Sequence, residues 1–206
     1  LAADALVVLA EASQLQDKNS VADLALTRLA NNFRDKPIYA QTLRRMAESS
    51  YAAKHYKRSD RLFGQLIALG QNSPFHAAGL SGRGWSLFES ERYAEAAEIF
   101  GRVVSLHPKN DLAAEAAYKA AESHEKAKAP GKAAEAYRLV ARDYRTSAFA
   151  FLAARRAARL LAMDNKIAEA HNAYDSLLKQ FPKADDRDEL MYEWAGMHAD
   201  NGQFQK

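Results

Sequence analysis

Residues 80–108, LSGRGWSLFESERYAEAAEIFGRVVSLHP, decide the fold. Leu80, Gly84 and Leu87 are spaced by four and three, which puts them on one face of a helix. Tyr93, Ala96, Phe100 and Val103 do the same for a second helix. Between them, Ser90-Glu91-Arg92 leaves room only for a tight helix-to-helix turn. Pro108 then ends the second helix, because it lacks an N–H and pushes the residue before it out of helical geometry. The unit is helix, turn, helix, linker.

Outward from this stretch the same unit recurs at a step of 37 residues. Phe63, Phe100, Tyr137 and Tyr174 form one column, with Leu26 one step earlier. Ala10, Ala47, Gly84, Ala121, Ala158 and Ala195 form a second, made only of alanine and glycine. Ala22, Ser59, Ala96, Ala133 and Ala170 are all small, and Leu29, Leu66, Val103, Val140 and Leu177 are all aliphatic. Small residues mark where the two helices of a pair cross, and a bulky ring marks where one pair meets the next. One pair cannot bury both faces, so neighbours must stack.

The pattern predicts first helices at 3–16, 38–54, 75–89, 112–127, 148–163 and 187–200, and second helices at 21–33, 57–69, 93–106, 130–144 and 167–180. Repeats then span 3–37, 38–74, 75–111, 112–147 and 148–185, with a partial copy at 186–206, all in one domain covering 1–206. Ser20 with Asp23 is an N-cap signal, Pro130 suits a first helical turn, and Asn201-Gly202 suits a left-handed turn. Pro37, Gly70 with Pro74, Pro108 and Pro182 punctuate the linkers. Phe204 falls where Tyr56, Tyr93 and Ile167 open their second helices, so the natural protein is expected to continue.

Composition agrees. Hydrophobic residues are 48% and charged residues 27% of the 206, with alanine dominant, which favours helices because alanine loses no side-chain entropy. The balance of 29 basic against 26 acidic residues gives +3, which does not read as a nucleic-acid binder. No cysteine is present, which removes disulfides, thiolate nucleophiles and thiolate-bound metals. No apolar run approaches the roughly 20 residues that cross a bilayer.

These columns resemble the tetratricopeptide repeat family, most closely at Leu80, Gly84, Leu87, Tyr93, Ala96, Phe100 and Pro108. Departures are Pro130 and Ile167 at the second aromatic site, Arg145 in place of proline, and Leu26 and Ser59 at signature sites. The family's usual step is about 34 residues. The longer step, with linkers such as His107-Pro108-Lys109-Asn110, is similar to a bacterial cell-envelope subclass found in outer-membrane assembly and Tol-Pal-associated proteins, a resemblance that leans toward a periplasmic or envelope location and leaves the cytoplasm open. The resemblance implies an all-α, right-handed superhelical solenoid of antiparallel helix pairs, whose first helices line a concave groove for a peptide or partner segment.

Carried onto this chain, the groove positions are held by Arg44, Glu48, Tyr51, Ser81, Trp85, Phe88, Tyr118, Glu122, Glu125, Arg155 and Arg159. Trp, Tyr and Arg are the types most enriched at binding hot spots, since a rigid ring gives contact area at small entropy cost. The competing reading is that Trp85 and Phe88 fill gaps between helices. Val7, Glu11, Glu48 and Trp85 stand where a carboxylate clamp for a chain terminus would need basic and amide residues, so that clamp is not expected. Gly79 and Gly84 align with small residues, but Gly82 aligns with Arg45, Lys119 and Arg156, and no packing reason for it is visible. Close approach of a ligand backbone and a locally weak helix are the two readings.

No zincin pair, phosphate loop, nucleophile elbow or dinucleotide fingerprint is present, so neither catalysis, a metal nor a cofactor is expected. His124 and His198 share the repeat site of Leu87 and Leu161, which reads as packing. The run Lys54-His55-Tyr56-Lys57-Arg58, with Arg61, reads as a solvated turn and helix face. The expected function is a protein-interaction scaffold, with a structural spacer that self-associates end to end as the alternative.

Overall fold

The computed structural model describes residues 2–181 and 187–200, with side chains for all of these except 187 and 197–200. Pro182, Asn201-Gly202, Phe204 and the side chain of His198 lie outside the described residues. Among the described residues there are eleven helices and no strand: α1 (Ala3–Leu15), α2 (Asn19–Phe33), α3 (Pro37–Ala52), α4 (Tyr56–Ile67), α5 (His76–Glu89), α6 (Tyr93–Leu106), α7 (Ala113–Lys126), α8 (Pro130–Asp143), α9 (Phe149–Met163), α10 (Ile167–Gln180) and α11 (Arg187–Asp200). Every boundary lies within two residues of the position that the sequence pattern predicts. The chain forms two compact units, Leu1–Leu112 with α1 to α6 and Ala113–Lys206 with α7 to α11.

Each turn between the helices of a pair is built the same way. Asp17, Lys54, Glu91, Lys128 and Asn165, one per repeat, adopt φ between 57° and 61°. The residue after each donates its N–H back across the turn: Lys18 to Ser13, His55 to Ser50, Arg92 to Leu87, Ala129 to His124 and Lys166 to Leu161, all at 2.8–3.0 Å. These are the bonds of a Schellman C-cap, which satisfies carbonyls that the helix end would leave open. One left-handed residue thus ends the first helix, and the second begins almost at once.

That economy corrects the expected cap at Ser20. Because Asp17 already reverses the chain, α2 starts at Asn19 after Lys18, with no side-chain capping bond. Asp23 instead grips Arg58 at 2.7 Å and Arg61 at 2.8 Å, tying α2 to α4. Asp60, one repeat step later, pairs differently, with Arg83 of α5 at 2.7 Å and Arg92 in the turn before α6 at 3.1 Å. The expected role of Pro130 holds: it opens α8, as Pro37 opens α3.

In the first unit, Leu26, Leu29, Leu43, Phe63 and Leu66 join one buried cluster with Ala10 and Ala47 at the crossings. Phe100 is fully buried beside Gly84, where an added Cβ would stand 2.7 Å from the ring. Ser59, the polar member of a small column, is buried too. Its hydroxyl donates to the Ala47 carbonyl at 3.0 Å, and the Ser86 hydroxyl lies 2.9 Å from it, so α3, α4 and α5 share a buried polar link. A buried hydroxyl without such partners would cost about 1–3 kcal/mol.

In the second unit, Ala121, Ala133, Tyr137, Val140, Ala158, Ala170, Tyr174 and Leu177 are all buried, as their columns require. The Tyr137 hydroxyl donates to Glu125 at 3.0 Å, and burial raises its pKa, so it stays a neutral donor. Ala195 on α11 is exposed, since no second helix of that pair lies among the described residues.

Candidate functional site

Within the first unit a hollow of about 350 Å³ opens between α3 and α5. Glu48 and Tyr51 come from α3, Ala78, Ser81, Gly82 and Trp85 from α5, Phe63 from α4, and Leu112 closes one side. Four residues expected at the groove, Glu48, Tyr51, Ser81 and Trp85, therefore line a single concavity. The reason is helical geometry: sites three, four or seven apart on each first helix share a face, and neighbouring first helices run side by side.

Its character is apolar with a polar edge. Trp85 stands edge-on to Phe88 and to Phe100, with ring centres 6.0 Å apart in each case. The Phe100 ring holds the indole from behind, so Trp85 is both half-packed and presented. Tyr51 is half-buried and lies 5.5 Å from the Tyr56 ring. Burial, with the negative charge of Glu89 and the neighbouring Tyr56 adding to it, pushes its pKa up to about 12. It is a neutral hydroxyl at the mouth of an apolar hollow, an arrangement suited to an apolar ligand group with one polar tip.

Gly82 has its explanation here. A Cβ on Gly82 would overlap the end of the Phe63 ring, with Cε1 and Cε2 at 2.5 Å. Phe63 belongs to the same column as Phe100, yet its ring is accommodated by Gly82 of the next repeat. The neighbour that would have received it in its own repeat is Ala47, which carries a Cβ. Gly82 is thus a socket for a ring from the preceding pair, and that ring becomes a wall of the hollow. Of the two readings left open by the sequence, neither a ligand backbone nor a weak helix is needed.

The other expected groove residues of the first unit lie at its margins. Arg44 sits 3.8 Å from Glu48 and places its guanidinium 5.7 Å from the centre of the Phe75 ring, a cation–π contact. Phe88 packs edge-on against Tyr93 at 5.3 Å and does not line the hollow.

In the second unit the expected residues have other engagements. Tyr118 lies 5.4 Å from both the Tyr137 and Phe149 rings, and burial raises its pKa. Glu122 receives the Lys119 ammonium at 2.6 Å, and Glu125 accepts from Tyr137 and lies 3.4 Å from Arg156. The Arg155 side chain, only 15% exposed, holds Glu189 and Glu193 of α11, each at 2.7 Å. Arg159 is exposed.

Two histidines outside the repeat columns are paired. His76 at the start of α5 is 3% exposed, and its Nδ1 lies 2.8 Å from Nε2 of His107 after α6. Sequence reasoning missed this because 31 residues separate them and neither belongs to a column. His124 is half-buried, as its repeat site predicts, and burial lowers its pKa. Among the described residues no cluster of three or more potential ligands could hold a metal ion, and no helix is long and apolar enough to cross a membrane.

Stacked helix hairpins with a recurring small-residue crossing and an aromatic-lined hollow define a helical repeat protein built for contact with other chains. The tetratricopeptide repeat family matches residues 44–111 and 83–148, half of the chain, and the chain belongs to that family. No match was found among curated proteins. Among solved structures it is similar to MamA from Desulfovibrio magneticus RS-1, at 15% identity and TM-score 0.57, covering 89% of this chain and 97% of that one. It is similar to YrrB, described as a TPR protein with an unusual peptide-binding site, at 15% identity and TM-score 0.61, covering 88% and 86%. BtubC from P. vanneervenii matches at 13% identity and TM-score 0.61, covering 100% of this chain and 86% of that one. At these identities the likeness is one of fold.

Proposed function

We propose that this scaffold captures an extended peptide or a partner's helix by seating an apolar side chain in the hollow between α3 and α5, and that it catalyses nothing. The observation that carries the reading is the convergence of Glu48, Tyr51, Ser81 and Trp85 on one 350 Å³ concavity backed by Phe63. That volume suits one or two ligand side chains, and a rigid indole with a tyrosine at the mouth is a typical hot-spot composition. The peptide-binding site named for YrrB, a protein of the same fold, points the same way. Arg44, Phe88 and the second-unit residues Tyr118, Glu122, Glu125, Arg155 and Arg159 are proposed as secondary contacts. Nucleic acid is not the proposed ligand, because the aromatic hollow has Glu48 at its edge.

The test is capture of binding proteins from native extract by the wild-type chain and by Trp85→Ala with Phe88→Ala. Loss of specific captured proteins with helicity unchanged supports the reading, and undiminished capture defeats it. End-to-end self-association remains the second reading because Val8 on α1 is 65% exposed and Leu24 on α2 is 53% exposed, apolar surface beyond what a lone pair needs. Mass that rises with concentration in light scattering, and falls on Val8→Ser with Leu24→Ser, is its signature.

A further inference from the structure

A second concavity lies in the other unit, on the opposite kind of helix. It is a trough of about 520 Å³ between the second helices α8 and α10, floored by Ala154, Ala157 and Leu161 of α9. One wall carries Arg138, Arg142 and Arg145, and the other carries Asn172, Ser176 and Gln180. Arg138 and Arg142 stand about 6 Å apart along the α8 axis at 1.5 Å per residue, and Arg145 follows just past the helix end. Glu169 marks the far end, where a smaller hollow of about 220 Å³ continues past Glu135, Asp164 and Lys166.

The fold does not ask for these arginines. At the site of Arg138 the other repeats carry Thr27, Gly64, Gly101 and Asp175, and at the site of Arg142 they carry Asn31, Ala68, Ser105 and Lys179. A stack sustained by nearest-neighbour packing repeats what it needs, and this set recurs in no other copy. Among the described residues Arg142 pairs with Asp143 at 2.6 Å, while Arg138 and Arg145 have no ion pair. Both are exposed, so their guanidinium groups are free to meet a ligand carboxylate with two bonds.

We propose that this trough binds an extended acidic peptide segment, its carboxylates on Arg138, Arg142 and Arg145 and its backbone along Asn172, Ser176 and Gln180. Alternate side chains of an extended strand recur about every 6.6 Å, close to the four-residue rise of about 6 Å that separates Arg138 from Arg142. The amide and hydroxyl wall supplies both donors and acceptors, which suits peptide N–H and C=O groups. The alanine floor lets a main chain lie close. The trough is also polarised, cationic toward Arg145 and carboxylate-rich toward Glu135, Asp164 and Glu169. A uniformly charged polyanion would run into that acidic end, whereas a peptide can confine its acids to one end. The lining offers no aromatic ring on which a base could stack, which argues against single-stranded nucleic acid.

The experiment is fluorescence anisotropy on the full chain with three labelled probes: a heptapeptide with alternating glutamates confined to one half and a neutral other half, the same peptide with glutamine, and a thymidine oligonucleotide of matched charge. The glutamate peptide is expected to bind at least about tenfold tighter than the other two. Arg138→Glu with Arg145→Glu is expected to cost at least about tenfold, and Ser176→Leu, which leaves the charge unchanged, is expected to weaken binding too. Trp85→Ala should leave this binding unaltered, which separates the trough from the hollow between α3 and α5. Equal affinity for the glutamate and glutamine peptides, tighter binding of the oligonucleotide, no binding of any probe, or indifference to the arginine reversal each overturns the proposal.

Discussion

The Phe63 ring rests where the side chain of Gly82 would be, with its Cε atoms 2.5 Å from the position a Cβ would take. Phe63 is buried in the core of the second pair, and Gly82 belongs to the first helix of the third, so the contact joins two repeats through a missing atom. Gly82→Ala gains about 1 kcal/mol of helix propensity and meets an overpacking cost of about 1–3 kcal/mol. The expected net result is a loss of about 1 kcal/mol, read as a lower urea midpoint. Phe63→Leu, which installs the residue that Leu26 holds at the same column, removes the ring tip. The double variant should then lose less than the sum of the singles, and strict additivity would show that the two residues do not meet.

The left-handed turns offer stabilisation. Lys54, Glu91 and Lys128 hold φ of 61°, 59° and 57°, a region that costs an ordinary L-residue about 1–2 kcal/mol. Glycine avoids that cost but loses part of the gain to unfolded-state entropy. Glu91→Gly is expected to raise stability by about 0.5–1 kcal/mol, measured by chemical denaturation. Gly at Ser90, one residue earlier and within ordinary backbone geometry, should stabilise nothing.

His76 makes the first unit sensitive to acid. Burial foremost, then the charges of His107 and Arg102, hold its pKa below the usual 6.5. As pH falls past 6.5, the unfolded chain takes up a proton that folded His76 still refuses. The stability present above that pH is therefore lost progressively below it, down through the folded pKa. His124, lowered chiefly by burial and then by Lys132, acts in the same direction in the second unit. Urea midpoints should fall between pH 7.5 and pH 5, and His76→Gln should flatten the part of that slope that belongs to the first unit. An unchanged slope would remove His76 from the explanation.

Arg155 joins α9 to α11 through Glu189 and Glu193. Its hydrogen bonds to Glu193, followed by those to Glu189, hold its pKa above the usual arginine value. Glu189 is largely exposed, so solvent screening limits the total, and Arg155→Met is expected to cost about 1 kcal/mol. The loss should appear locally. Amide exchange in α11 should accelerate while α7 and α8 keep their protection, whereas uniform acceleration would mean that Arg155 supports the whole unit.

The helix limits and the buried columns could be read from the sequence because each depends on short-range facts that repeat. Side-chain size at a step of 37 states which faces must nest, and the three-residue turns leave one way to connect them. Four members of the hollow between α3 and α5 followed from the same register. The left-handed residues could not be read from type, since Asp17, Lys54, Glu91, Lys128 and Asn165 share no chemistry; only their common place in the turn unites them.

Rotamer choices and long-range pairings were decided by the tertiary structure alone. Whether Phe63 turns toward its own pair or the next depends on which neighbour lacks a Cβ, a three-dimensional question. The joining of His76 to His107, of Asp23 to Arg58, and of Arg138 to a wall of amides across α9 likewise depends on where helices already fixed by periodicity come to lie. Periodicity sets which surfaces are buried, because burial follows from residue size and spacing; which side chains meet is settled only when those surfaces are pressed together.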